Sequence, residues 1–532
     1  LDPKSAANRA FSDLWNRWSD YLLAPVDGSG LAVFRILFGA LMAWVIADDA
    51  KVVESMFLQP AYLFSWFPFI KPWPAELFHI HYHVAFLAAI LVSLGLYYRV
   101  AAAVLGASMT YFFFLDKANY VNHYYLVTLL SALLVLLPAN QCFSLDRLTG
   151  PEKYNGKIPR WTQEILKVQI VIIYLFAASW KLNPDWLAGV TCHEFMANKG
   201  DRPIIGPYLT QGWFAHIMAY SGILIDYSVP VLLMIPRTVW LATAISLGFH
   251  LLNSFIFHRL DYFPYLMLGS LSLFYPYDWP KLVWAKVRRR WVAVEQAESE
   301  KASPATTTVL WQQPVSVDAV TPASGLAATP AFKLAATPAS RLAFSSAARA
   351  ASLIFFHVFL LVQAVLPLRC LTYPGNPDWT EQGYYFCWRL MVNNKKVTPI
   401  KFIVRDASTG EMIAVLTGKS MLNKNQLFRM EHHPELAHKF ALWLADRVEK
   451  KTGKRPIITA LQRASLHGRP WQFLIDPTVN LAAEPSHWGP KTWIVPLAAN
   501  PASMNVKVRS MAPRNRLELH GKLADKPGSR WW

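Results

Sequence analysis

Long apolar runs separated by short polar connections dominate the first half of the chain. They cover approximately Leu31–Ala47, Phe78–Tyr98, Val100–Leu115, Tyr124–Pro138, Ile165–Trp180, Trp213–Ile235, Thr238–Phe257, Tyr262–Tyr275 and Ala351–Leu368. A helix that crosses a bilayer needs about 20 mostly apolar residues. The runs therefore predict about nine spanning helices. They are too long and continuous for barrel strands, which alternate. Residues 296–350 break the pattern: LAATPAFKLAATPASRLA is a near-repeat of Ala, Thr and Pro with few large apolar residues, which reads as a flexible linker.

Beyond Cys370 the pattern becomes mixed. Pro399–Arg405 alternates apolar and polar residues, Asp406–Gly410 supplies turn chemistry, and Met412–Leu416 completes a hairpin signal. Leu436–Val448 reads as an amphipathic helix. Trp471–Ile475 and Trp493–Val495 suggest further strands, and the tail after Pro501 is basic. The expected fold class is a polytopic α-helical membrane domain followed by a β-rich extracytoplasmic soluble domain. The expected divisions are 1–295 membrane, 296–350 cytoplasmic linker, 351–370 last spanning helix and 371–532 soluble domain.

Composition agrees. The chain is 54% hydrophobic and 16% charged, against about 45–50% and about 25% for a soluble domain. An average soluble enzyme is thus excluded, and 14% aromatic residues exclude disorder over most of the length. Lys and Arg outnumber Asp and Glu by 52 to 34, a net charge of +18. In a membrane protein that excess belongs in cytoplasmic loops, so it does not point to nucleic acid. With the N-terminus inside, Arg99, Arg147, Lys153, Lys157, Arg160, Arg237 and the Lys281–Arg290 cluster all fall on the cytoplasmic side. The opposite loops carry fewer cations, which places the C-terminal domain in a lumen or periplasm. The N-terminal stretch, interrupted by Asp13 and Asp20, does not read as a signal peptide. Four cysteines are too few for a disulfide scaffold. Cys370 and Cys387 can pair in an oxidising compartment, Cys142 and Cys192 have no obvious partner, and no zinc-type CxxC predicts a metal.

Ionisable groups inside spans are costly and usually functional. Lys181 closes the fifth helix, Asn122 and His123 open the fourth, and His250 and Asn253 lie in the seventh. The topology puts Lys181, Asn122, His123 and His250 near the outer ends of their helices, at one depth. Arg35, in the first helix, is expected to pair with a carboxylate such as Asp116 or Asp185. Each also has a plain reading: a snorkelling lysine, a helix-entry histidine, a packing pair. An amine in an apolar pocket loses solvation and becomes a neutral base, so Lys181 can deprotonate a phenol-type cofactor.

Several segments together resemble a known family. FFLDKANYVNHYYL, QIVIIYLFAASWKLNPDW, FHLLNS and PVDGSGLAVFRILFG resemble the vitamin K-dependent γ-glutamyl carboxylases, as do YYFCWRLMV, VRDASTGE, FLIDPTVNLA and TWIVPL. The resemblance runs from about Pro25 to Leu497 apart from the linker. It implies an integral-membrane enzyme that converts peptide glutamate to γ-carboxyglutamate. Reduced vitamin K, oxygen and carbon dioxide are consumed, and the vitamin leaves as its epoxide; no metal is implied. Carried over by motif, Lys181 matches the base, Asn122 and His123 the pair at the quinone oxygen, and His250 and Asn253 the segment beside it. Phe263 and Met267 match the quinone-contacting part of the eighth helix. Tyr384 and Trp388 match the segment near the glutamate pocket, with core packing as the plain alternative. The implied partners are a Glu-containing protein or peptide, with or without a propeptide, and the lipid bilayer. The implied location is an endoplasmic reticulum membrane or a bacterial inner membrane.

The chain also departs from the family pattern. The first lysine of the family's pair is Trp180 here, and the disulfide of vertebrate members has no cysteines in the corresponding segments around Pro60–Pro74 and Leu436–Asp446. Two other functions stay open. One is a quinol epoxidase without carboxylation. The other is a transporter or membrane scaffold, which predicts a polar path across the bilayer and paired repeats.

Overall fold

The computed structural model describes residues 3–150, 154–257, 262–302 and 345–498. The Ala/Thr/Pro near-repeat at 326–343 and the basic tail lie outside the described residues. Chain contacts divide the protein into two units. The first holds residues 1–370 with 384–392 and 421–426; the second holds 371–383, 393–420 and the chain from 427 onward.

The first unit opens with the amphipathic helix α1 (Pro3–Leu23). The strand β1 (Pro25–Asp27) follows, and pairs antiparallel with β2 (Lys157–Pro159). Among the described residues seven helices are long and apolar enough to cross a membrane. Six of them are α2 (Ser29–Asp49), α3 (Ala75–Leu94), α4 (Tyr98–Leu115), α6 (Trp161–Trp180), α7 (Gly212–Met234) and α8 (Val239–Phe257). Two shorter apolar helices are α5 (Asn122–Leu136) and α9 (Phe263–Leu271). The helix α10 (Trp279–Ala302) is charged and runs into the stretch expected to be linker. The seventh span holds α11 (Ser346–Val365), continued by a tighter turn over Leu366–Thr372.

Helices in lipid gain little from hydrophobic exclusion, so they associate through close packing of small residues. At Gly39 of α2 an added Cβ would lie 2.5 Å from the Ser93 amide of α3. At Gly106 of α4 it would meet Val135 Cγ2 of α5 at 2.9 Å.

Arg35 does not pair with Asp116 or Asp185. Its guanidinium is fully buried and donates to the carbonyls of Ala139 at 3.3 Å, Ser93 at 3.3 Å and Phe143 at 2.5 Å. A fork of several N–H groups suits such carbonyls: Ser93 is in the last turn of α3, where the C=O groups have no partner within the helix, and Ala139 and Phe143 are in the connection after α5. Asp116 instead accepts from the amides of Phe64 and Ala118 and from Gln426 Nε2. The four cysteines are free thiols. Cys370 and Cys387 are hydrogen-bonded neighbours and are not disulfide-bonded.

The second unit is a sheet-containing domain with strands shorter than expected. One antiparallel sheet orders β3 (Lys395–Val397), β7 (Arg463–Leu466) and β8 (Gln472–Phe473). The other places β4 (Lys401–Arg405) between β5 (Met412–Leu416) and β6 (Ile457–Leu461). The hairpin read from the alternation is β4–β5, with Phe402 opposite Leu416. Phe402 and Val404 point inward, and Phe402 meets Phe440 of the helix α13 (Pro434–Thr452) with ring centroids 5.4 Å apart. The short helix α12 (Lys424–His432) precedes it.

A buried charge cluster holds this domain's centre. Glu381 Oε1 lies 2.6 Å from Lys395 Nζ, and Glu381 Oε2 lies 2.5 Å from His433 Nδ1. Burial alone would raise the Glu381 carboxyl, but His433 and Lys395 together hold it well below the usual glutamate range. A depressed carboxyl contributes stability above its unfolded value and loses it as pH falls. The contribution is therefore in place above about pH 4.5 and drains below that pH.

Two outcomes are expected. Glu381→Gln leaves Lys395 buried without its counter-charge and should cost about 3–5 kcal/mol in the soluble domain, read by thermal unfolding, with the wild-type protein losing the same increment on acidification. Arg35→Met should cost a similar amount in the membrane domain, because three carbonyls lose their donor.

Candidate functional site

The starts of α5 and α9 and the C-terminal parts of α6 and α8 converge with α7 on a cavity of about 240 Å³. Helical spacing puts its lining there. Met218, Gly222 and Asp226 recur every fourth residue along α7, as do Phe263 and Met267 on α9. His250, Asn253 and Phe257 share one face of α8. His123 enters from the start of α5, and Tyr174 and Ala177 from α6. Lys181 is the residue that closes α6, its amide still bonded to Ala178.

The chain after Lys181 folds back over the cavity. Asn183 caps the next turn by accepting from the Trp186 amide, and Trp186 Nε1 donates to the Ala219 carbonyl at 2.9 Å. This fixes Trp186, with Cys192, Phe195 and Met196 behind it, as one wall. Leu390 and Met391 complete another. They come from a segment with unusual backbone: Phe386, Trp388 and Met391 all have positive φ, which costs non-glycine residues energy and clusters at functional sites.

The polar groups are few and placed. Lys181 Nζ lies 2.6 Å from Asp226 Oδ2 and 3.2 Å from the Ala177 carbonyl. The two side chains are 8% and 6% exposed, so this is a buried ion pair. The indole of Trp186 sits 5.4 Å from the amine. The Phe263 ring stands between the two histidines, 6.0 Å from each ring. His123 also packs edge-on against Tyr262 at 4.9 Å. The buried His250 Nε2 finds no hydrogen-bond partner among the described residues. A buried polar atom of that kind needs a donor or acceptor that the described residues do not supply.

Of the residues read from the sequence, Lys181, His123, His250, Asn253, Phe263 and Met267 line this one cavity. Asn122 does not. Its amide donates to the Arg389 carbonyl at 3.1 Å and accepts from the Tyr120 hydroxyl at 3.2 Å, so it holds the segment that carries Leu390 and Met391. Tyr384 and Trp388 also lie elsewhere, in an aromatic cluster of the membrane unit. Trp388 is 1% exposed and stacks on Tyr125 at 4.8 Å, and Tyr384 packs against Tyr120 at 6.1 Å. Trp388 therefore has no open face, whereas Tyr384 is half-buried. Lys181, expected as a base in an apolar pocket, has a carboxylate beside it there.

The reading from sequence missed Asp226, although the signal was there: one acid within the apolar run ILIDYSVPVLL. It also missed Tyr174, Trp186 and Cys192, which carry no signal apart from aromatic or small side chains in an apolar context. Among the described residues no group of three or more His, Cys, Asp or Glu is placed to hold a metal ion.

Residues 23–279 match the HTTM domain model, and residues 348–500 match the model of the vitamin K-dependent gamma-carboxylase lumenal domain. The chain belongs to the vitamin K-dependent γ-glutamyl carboxylase family. No solved structure matches it. In this carboxylase family member the first match contains every helix that lines the cavity, and the second contains Leu390 and Met391. Membership implies vitamin K as cofactor and a multi-pass membrane protein. The cavity suits such a molecule: apolar and aromatic walls for a ring, and an unpartnered His250 Nε2 for its oxygen.

Gly222 tests the cavity directly. A Cβ there meets Trp186 Cζ2 at 3.6 Å and Lys181 Cε at 3.9 Å, ordinary contacts. Gly222→Ala should therefore fold and bind as the parent does. Gly222→Leu should fill the space and weaken binding of a naphthoquinone probe at least tenfold, about 1.4 kcal/mol, read by quenching of tryptophan fluorescence.

Proposed function

We propose that this protein is an integral-membrane γ-glutamyl carboxylase. It converts glutamate side chains of a protein or peptide to γ-carboxyglutamate with carbon dioxide and oxygen, coupled to oxidation of vitamin K hydroquinone to its epoxide. The observation that carries the reading is that Lys181, His123 and His250 meet in one apolar cavity, with the Lys181 amine 2.6 Å from a buried carboxylate.

Bound there, reduced vitamin K supplies a transient base far stronger than any side chain, which is what removal of a glutamate γ-proton requires. The protein's own residues do the rest. Phe263, Met267 and Asn253 hold the ring. His250 Nε2 and His123 meet its oxygens, and Lys181 takes the proton of a ring hydroxyl. Asn122 acts at one remove, by fixing the Arg389 carbonyl and so the cavity wall beyond it. Ile173, Phe195, Met196 and Phe257 keep water away. Water would return a proton to the glutamate before carbon dioxide could react. Tyr384 and Trp388 shape the segment beside the cavity; any part they take in recognising the Glu-containing peptide is through that shape. The bias of Lys and Arg puts the cavity and the C-terminal domain on the lumenal or periplasmic side, in an endoplasmic reticulum membrane or a bacterial inner membrane.

A second reading is an epoxidase that does not carboxylate. The burial of Trp388 supports it, because that side chain is closed to a peptide. One assay separates the two. Purified protein in lipid receives reduced vitamin K, oxygen, labelled bicarbonate and a glutamate-containing peptide, with Lys181→Ala beside it. The expected result is labelled peptide and epoxide together, both lost in the variant. Epoxide without label, also after a propeptide is joined to the substrate, establishes the second reading. Neither product from folded protein overturns both.

A further inference from the structure

The cavity wall carries a carboxylate that the function above does not use. Asp226 shares the buried face of α7 with Met218 and Gly222, and lines the cavity itself. It is not a remote tether: the missing side chain at Gly222 leaves the stem of Lys181 uncovered on that side. Pro230, four residues further along α7, has no N–H to give the Asp226 carbonyl, so the helix is locally open where the acid sits.

The pair poses a problem of proton count. An ammonium cannot accept a proton, and a lysine held by a carboxylate at 2.6 Å shares one proton with it. The pair can take up a second only if Lys181 passes one of its own to Asp226. An ammonium has three N–H donors. Asp226 Oδ2 and the Ala177 carbonyl engage two of them, which leaves one direction for a molecule in the cavity.

We propose that Asp226 is the terminal proton acceptor of this site and Lys181 the relay in front of it, a device suited to apolar ligands that carry a weakly acidic hydroxyl. This rests on the reading that Lys181 meets such a hydroxyl. As the donor's O–H bond breaks, its electron pair stays on the donor oxygen and an N–H bond forms at Nζ. A second N–H bond of Nζ breaks, and an O–H bond forms on Asp226 Oδ2. Lys181 is an ammonium before and after. Its counter-charge moves from the carboxylate to the ligand, so the cavity holds one cation and one anion throughout. That matters because creating a new charge in an apolar site is costly. Without Asp226, a neutral Lys181 would have to separate charge where none existed. The titratable groups that face the pair are His123 from α5, Tyr174 from α6, Cys192 from the helix Val190–Met196 and His250 from α8.

The test uses the full chain in detergent or lipid, with Asp226→Asn, Asp226→Glu and Lys181→Ala. The first readout needs no turnover. Fluorodinitrobenzene reacts only with neutral amines, and mass spectrometry reports its yield at Lys181 between about pH 6 and 9. The wild type should label slowly, Asp226→Asn at least about tenfold faster near neutral pH, and Asp226→Glu like the wild type. The second readout is epoxide formation. Asp226→Asn should lose about 10²-fold in kcat with KM for the reduced vitamin little changed. Its remaining rate should rise with pH, because the amine must then lose its proton to solvent; Asp226→Glu should restore the wild-type profile. Folded Asp226→Asn with unchanged labelling and an unchanged pH profile would overturn the proposal and leave Asp226 a structural partner. If Asp226→Asn does not fold, Asp226→Glu decides: a displaced pH profile in a variant that keeps the carboxylate counts against the relay. A wild type that forms no epoxide sinks the proposed function, while the labelling still decides whether Asp226 holds the Lys181 proton.

Discussion

Hydrocarbon offers no partner to a charge or a hydrogen-bonding group, so such a group inside the membrane unit must be answered by another part of the chain or by a bound molecule. That constraint organises the structure at three levels. Arg35 answers carbonyls in the last turn of α3 and in the connection after α5. Tyr125 and Gln363 answer each other between α5 and α11, their polar atoms 3.1 Å apart. Lys167 answers Glu164 at 2.9 Å near the start of α6, where Tyr277 adds its hydroxyl. Lys181 and Asp226 follow the same rule, but their pair is built into a cavity wall instead of a closed core. A polar pair sealed in packing is structure; the same pair facing a space is available for chemistry.

Within that cavity the balance of groups is informative. Most of the lining is aromatic, aliphatic or thioether, which favours a flat apolar molecule and disfavours water. The polar atoms sit on different elements: α5, α6, α7 and α8 each contribute one or more. Fixing four helices against each other is therefore part of fixing the site, and the close approach at Gly106, which seats α5 against α4, belongs to the chemistry as well as to the packing.

How far this was legible in the sequence depends on the range of the information. The spanning helices were legible because a run of apolar residues is a local signal. Each expected run coincides with an observed helix, including the short α5 and α9. The β4–β5 hairpin was legible for the same reason. The topology put Lys181, Asn122, His123 and His250 near corresponding ends of their helices, and all but Asn122 line the cavity. The partner of Lys181 did not follow: Asp226 lies 45 residues away, and no periodicity names it. Nor did the fate of residues 384–392. They follow the last spanning helix and look like the start of the soluble domain, yet they pack in the membrane unit. Long-range contacts such as Asn122 with Arg389 and Trp180 with Cys387 decide that, and they are invisible to composition.

Arg35 and Gly95 show what such packing does to a sequence over time. Gly95 ends α3 with a positive φ, and a Cβ there would lie 2.2 Å from Arg35 Nη1. A lysine at position 35 is a point donor without the fork, and a shorter residue leaves the carbonyls bare. No single step away from either residue is cheap. Even with Arg35 shortened, a side chain at Gly95 meets Ser144 Cβ at 2.6 Å on a backbone with positive φ, so the turn after α3 can change only if it is rebuilt as a whole.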